Sequence, residues 1–221
     1  MTFAYPHNWR IAPHEAIGVQ ERLRSLVETS DRFPALHHVA GVDVFFDARC
    51  RFMRAAVAVL SFPTLELIAS ATAQRAVEFP YIPGLFAFRE LPAVLDALAQ
   101  LQTQPDLILY DGHGIAHPRR FGIASHLGVL VDRPTVGIGK TRLIGREVEP
   151  PRERGNWVAL KDGEEVIGAI VRTQTGVKPI YVSIGHRVSL AAAVQVVLAC
   201  TTRYRLPETT REAHRLACAY Q

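Results

Sequence analysis

The sequence predicts an α/β fold, a central mixed β-sheet flanked by helices, and three observations carry that reading. Residues 39–77 hold three β-rich runs in succession, short apolar runs then alternate with helical patterns, and two helical stretches close the chain. Strands first, followed by alternating helices and strands, is the order of a mixed sheet with helices on its faces. The 221 residues, 48% hydrophobic and 21% charged, suffice for one sizeable core. Without an internal repeat, low-complexity segment or linker, residues 1–221 are expected to form a single domain.

In order, Pro13–Ser30 sets Ile17, Leu23, Leu26 and Val27 at helical spacing among charges, an amphipathic helix opened by Pro13. Val39–Phe46 reads as a strand with Asp43 in its middle. Phe52–Phe62 and Leu65–Val77, separated by Pro63, complete an antiparallel meander. The loop Pro80-Tyr81-Ile82-Pro83-Gly84 is stiffened by two prolines and holds up Tyr81 and Ile82. Leu85–Leu101 is helical, with an interruption expected at Pro92 just after Glu90.

The densest polar stretch runs from Pro105 to Gly122. Leu107–Tyr110 reads as a buried strand, so that Leu107, Leu109 and Asp111 share one face, and Asp111 stands where the strand turns into Gly112-His113-Gly114. The C-terminal ends of strands in open α/β sheets are where ligand chemistry collects. A helix (Ile123, Leu127, Leu130, Val131), a short strand (Pro134–Ile138) and a hairpin across Asp162-Gly163 follow. Lys178–Ser183 is a further strand, and Leu190–Thr202 and Thr209–Ala219, which carries His214, are helices.

Composition narrows the function classes. An excess of 25 Lys+Arg over 21 Asp+Glu, formally +4, is compatible with a nucleic-acid partner without requiring one. Three cysteines without CxxC spacing argue against a disulfide framework or structural zinc; Cys50, Cys200 and Cys218 read as packing residues in a reducing compartment. The first residues lack an apolar segment, and Leu190–Cys200 is too short to span a bilayer. A cytoplasmic protein, monomeric and without a membrane partner, is expected.

Two motifs fail on inspection. Gly139-Lys140-Thr141 resembles the end of a phosphate-binding loop, but Pro134 stands where its first glycine belongs. His113 and His117 have zinc-helix spacing, yet Gly112, Gly114 and Pro118 oppose a helix there. A carboxylate constellation is the stronger candidate. An ionised Asp43 inside a strand needs a cation, strong donors or a salt bridge to Arg49, Arg51 or Arg54. If Asp43, Glu90 and Asp111 converge, a shared Mg²⁺ relieves their repulsion and can activate water against a phosphodiester.

The chain also resembles the endonuclease V family. The matching blocks are Gly41-Val42-Asp43-Val44, Pro80–Gly84 with Phe88-Arg89-Glu90, and Asp111-Gly112-x-Gly114-x-x-His117-Pro118-Arg119. Gly122-x-Ala124-x-His126-Leu127-Gly128, Gly137-x-Gly139-Lys140, Ser183-x-Gly185-His186-Arg187 and Tyr204–Glu208 with His214 follow in order. The resemblance implies an RNase H-like fold and an endonuclease of DNA repair. Such an enzyme recognises deoxyinosine and, with Mg²⁺ or Mn²⁺, cuts the second phosphodiester on its 3′ side, leaving 3′-hydroxyl and 5′-phosphate ends. It further implies metal-site roles for Asp43, Glu90, Asp111 and His214, with Lys140 near the scissile phosphate. Tyr81 corresponds to a wedge in the base stack, on a loop with Ile82 and Pro83, and His117 to a nearby active-site histidine. Gly84, Phe86, Gly112, Gly114 and Gly122 fall in the loops that receive the extruded base. Phe45-Phe46 departs from the small or polar residue and tyrosine expected there. An inosine-specific endoribonuclease and a non-catalytic inosine or mismatch binder are the alternatives.

Overall fold

The computed structural model describes residues 7–219. One eight-stranded sheet runs through it: β1 (His38–Phe46), β2 (Phe52–Ser61), β3 (Leu67–Ala76), β4 (Leu107–Asp111), β5 (Thr135–Gly139), β6 (Trp157–Asp162), β7 (Glu165–Val171) and β8 (Ile180–His186). Their spatial order is β3-β2-β1-β4-β5-β8-β7-β6. The first three strands form the expected antiparallel meander, β1, β4 and β5 are parallel, and β8, β7 and β6 return antiparallel. The helices are α1 (Pro13–Leu23), α2 (Phe86–Ala99), α3 (Ile123–Val131), α4 (Leu190–Ala199) and α5 (Glu208–Cys218). Among the described residues no helix is long and apolar enough to cross a membrane.

Alternation along the central strands divides the core between the two faces of the sheet. Val42, Ile108 and Tyr110 join side chains of α1, α2 and α3 in one cluster. Val39, Leu107 and Leu109 join those of α4 and Ala213 of α5 in the other. Both faces of β4 are covered, which is why its sequence reads as an unbroken apolar run.

Three expectations are corrected. The first helix stops at Leu23 and gives way to one 3₁₀ turn, Arg24–Leu26, instead of continuing to Ser30. Helix α2 runs unbroken through Pro92. An interior proline costs about 3 kcal/mol, but Leu91, Val94, Leu95 and Leu98 of α2 are buried, each contributing about 1.5–3 kcal/mol. Packing therefore outweighs the local penalty. Of the three cysteines only Cys200 packs inside; Cys50 and Cys218 are exposed, and all three are free thiols.

Helix α5 lies directly against β1, and a glycine makes that possible. A Cβ on Gly41 would stand 2.0 Å from the carbonyl oxygen of Thr209 in the first turn of α5. No rotamer change relieves a clash with backbone, so Gly41→Ala forces α5 away from β1. The variant is expected to lose about 2 kcal/mol, in the overpacking range, and to melt about 4–8 °C lower at this chain length. Thermal denaturation checks this; an unchanged melting temperature would contradict the close packing.

Candidate active site

The parallel register pairs Val42 of β1 with Tyr110 of β4. Asp43 and Asp111 each come one residue later, so the two carboxylates stand side by side on neighbouring strands, pointing to the face that carries α5. Glu90 approaches from α2 across the sheet, where its carboxylate accepts a 3.1 Å hydrogen bond from the Tyr110 hydroxyl. The three groups lie within Coulombic reach of one another: Asp111 raises the pKa of Asp43, and both aspartates raise that of Glu90.

Each carboxylate is turned to a different protein partner. Asp43 meets Nδ1 of His214 at 2.7 Å, Asp111 contacts the Lys140 ammonium, and Glu90 holds Tyr110. None of the arginines offered as a partner for Asp43 takes that place; Arg54 instead donates to the carbonyl of Ala219. With the side chains so parted, no three His, Cys, Asp or Glu among the described residues stand in metal-holding geometry.

The titration behaviour follows from burial and crowding. Burial pushes Glu90 up to about 8; the Tyr110 hydrogen bond opposes the rise and the neighbouring aspartates add to it. Asp43 is raised by burial, against the opposing pull of His214. Burial alone would lower Lys140, but the hydrogen bond and charge of Asp111 outweigh it and hold the ammonium above its ordinary value.

Beside Asp111 and Lys140 opens a cavity of about 410 Å³ whose lining includes Tyr81, Pro83, Gly84, Phe86, Glu90, Gly112, His117, Gly122 and Leu143. Tyr81 is 68% exposed, and its ring lies 5.0 Å from that of Phe86 at the rim. Ile82 packs back onto the core cluster behind its loop. Gly114 is buried beneath the cavity, donating to Ser183 Oγ at 2.8 Å, and a Cβ there would stand 1.9 Å from the Ile184 carbonyl oxygen. Its backbone packs behind the wall. Gly84 is the loop glycine that needs left-handed backbone, with φ of 81°.

His117 is 2% exposed. Its Nε2 donates to the Gly84 carbonyl at 2.9 Å and its Nδ1 accepts from the Arg119 amide. Burial, with Arg119 next to it, holds the ring neutral, its pKa lowered to about 4. The Gly84 carbonyl also accepts from Arg119 at 2.9 Å and from Gln20 at 3.0 Å. Three side chains, one from α1 and two from the loop after β4, thus fix one loop. Gln20, Arg119, Tyr110 and Ser183 were absent from the sequence-based site. Gln20 had a signal: it is a polar residue on the stripe Ala16, Val19 and Leu23 that α1 buries.

Comparison with known proteins agrees with this arrangement. The endonuclease V family model matches residues 21–215. Endonuclease V of Trichormus variabilis is 55% identical over 218 residues, covering 98% of this chain and 99% of its own. The crystal structure of Streptomyces avermitilis endonuclease V superposes with a TM-score of 0.91 at 47% identity, over 96% of this chain and 94% of that one. Endonuclease V of Ciona intestinalis, in complex with a 24mer DNA containing an inosine followed by a ribo-adenosine, matches with a TM-score of 0.83 at 29% identity, over 92% and 95% of the two chains. The sheet is accordingly that of the RNase H-like fold, and the chain belongs to the endonuclease V family of nucleases.

Proposed function

We propose that this chain is a metal-dependent DNA repair endonuclease that recognises deoxyinosine and hydrolyses the second phosphodiester 3′ to it, leaving 3′-hydroxyl and 5′-phosphate ends. The observation that carries the reading is the meeting of three carboxylates from three elements beside a lysine, at the edge of a cavity with an exposed tyrosine at its rim. The donor set is all oxygen, which suits Mg²⁺, with Mn²⁺ as a substitute. The raised pKa of Glu90 and of Asp43 is what burial of crowded carboxylates without a cation produces. Asp43, Asp111 and Glu90 would hold the ion. When bound, it supplies Lewis acidity toward the phosphate and a lowered pKa for water.

The side chains supply the rest. Lys140, released from Asp111, neutralises charge developing on the phosphate. His214, released from Asp43, orients the attacking water. Tyr81 enters the gap left by the extruded base, beside Phe86. Backbone groups at Gly84, Gly112 and Gly122 read the hypoxanthine edge, which differs from adenine at O6 and N1–H, and His117 keeps the Gly84 loop in place. The protein acts as one domain and a monomer, in the cytoplasm, where its three free cysteines stay reduced.

The test is cleavage of a labelled duplex with one deoxyinosine, in Mg²⁺ or EDTA, beside an undamaged duplex and a matched inosine-containing RNA. A Mg²⁺-dependent nick one nucleotide past the deoxyinosine is the expected result. Selective binding without a nick would replace this reading with a non-catalytic binder, and cleavage of the RNA alone with an endoribonuclease. Asp43→Ala should lower the rate more than about 100-fold, the upper range for losing a group that merely supports a metal ligand. Tyr81→Ala should weaken duplex binding by about tenfold or more, the worth of one base–aromatic stack, while leaving metal affinity unchanged in a calorimetric titration.

Glu90 also links stability to pH. Its pKa is raised from 4.5 to about 8 on folding, so between these values the folded state binds a proton that the unfolded state has released. Stability of the metal-free protein therefore falls as pH rises through this window. Melting temperatures in EDTA should decline from pH 5 to pH 8 more steeply in the wild type than in Glu90→Gln; equal slopes would contradict the raised carboxyl.

A further inference from the structure

A second groove, of about 500 Å³, shares Asp111 and Lys140 with the base cavity and continues along α5, lined by Leu206, Thr210, Arg211, His214 and Arg215 together with Glu208 and Glu212. The two hollows thus meet at Asp111 and Lys140. Glu208 and Glu212 are each matched within the helix, by Arg211 at 3.1 Å and by Arg215. Glu212 engages both Nε and Nη2 of Arg215, whereas Glu208, which also accepts from the Thr202 hydroxyl, engages Arg211 through Nη1. The Arg211 guanidinium carbon lies 3.3 Å from the centroid of the Tyr204 ring. That stack holds the planar fork in one orientation, with donors to spare. Arg205 donates to the carbonyls of Lys140 at 2.7 Å and Pro179 at 2.8 Å, so the segment bearing Tyr204 is fastened to the end of β5 that presents Lys140.

We propose that this groove is the track of the strand beyond the cut, and that Arg211 grips the first internucleotide phosphate 3′ of the scissile one. The inference rests on the proposed cleavage reading. A base held in the cavity, with hydrolysis one nucleotide further 3′, leaves the upstream product on the cavity side of the carboxylates. The downstream nucleotide, carrying the new 5′-phosphate, then lies on the groove side. The next phosphate along reaches a guanidinium that is already oriented, within a groove whose acidic side chains are internally matched. Its grip resists slippage of the downstream strand while the scissile phosphate sits at Lys140.

The decisive experiment neutralises that one phosphate in the substrate. A deoxyinosine duplex carrying a methylphosphonate at the first linkage 3′ of the cut is compared with the unmodified duplex, on wild type and on Arg211→Ala. Wild type should bind and cleave the neutral-linkage duplex about tenfold less well, the worth of one charge-assisted contact. Arg211→Ala should be about tenfold weaker on the unmodified duplex and indifferent to the methylphosphonate, with a salt slope smaller by about one. A wild type insensitive to the modification overturns the assignment, as does an Arg211→Ala protein that keeps the full sensitivity. The wild-type arm needs no mutant to fold. Affinities measured in EDTA give the same comparison should no strand be cut, so failure of this contact is distinguishable from failure of the cleavage reading.

Discussion

Gathering three carboxylates at one partly buried place is the constraint on which this molecule turns. Burial raises the proton affinity of Asp43 and of Glu90, Asp111 adds to the rise in both, and Asp43 adds to it in Glu90. Such an arrangement is unfavourable in itself and persists only because the fold over-determines it: two strands in parallel register and a helix on the opposite face. The protein meets the strain by giving each carboxylate a separate partner in Lys140, His214 and Tyr110. Those partners double as the groups the proposed chemistry needs, since a lysine and a histidine displaced by a cation are left at the reacting phosphate.

Backbone proximity enforces that placement. Glycine at position 41 allows α5 to rest on β1, bringing His214 within 2.7 Å of Asp43. Glycine at position 114 lets its loop press against β8. On the far side of the cavity, three donors converge on the Gly84 carbonyl and hold the loop that bears Tyr81. Rigid walls and an exposed aromatic at the rim suit the proposed reception of an extruded base, because little of the binding energy is then spent on ordering the protein.

Much of this was legible in the sequence, for identifiable reasons. The meander over β1–β3 and the buried strand β4 announce themselves by β-rich apolar runs and punctuating prolines and glycines. Asp43 stood out because an aspartate inside a strand needs an explanation, and Asp111 because of its place at a strand's end. Other features belong to tertiary packing. Pro92 reads as a break, yet burial of the neighbouring leucines carries α2 through it. Glu90 alone looks like a surface charge, and only the fold sets it beside two aspartates. His117 corresponds by resemblance to a nearby active-site histidine, and only the fold shows both its ring nitrogens committed to backbone groups. Gln20 and Ser183 support the cavity from strands and helices distant in sequence, a relation that spacing along the chain does not encode.

If Asp43, Asp111 and Glu90 leave their protein partners to share a cation, the anomalous scattering of Mn²⁺ soaked into crystals of the protein will locate it. The expected result is a manganese peak bounded by Asp43, Asp111 and Glu90, with Lys140 and His214 turned away from the aspartates. A peak elsewhere, or none with Lys140 still on Asp111 and His214 still on Asp43, would contradict it.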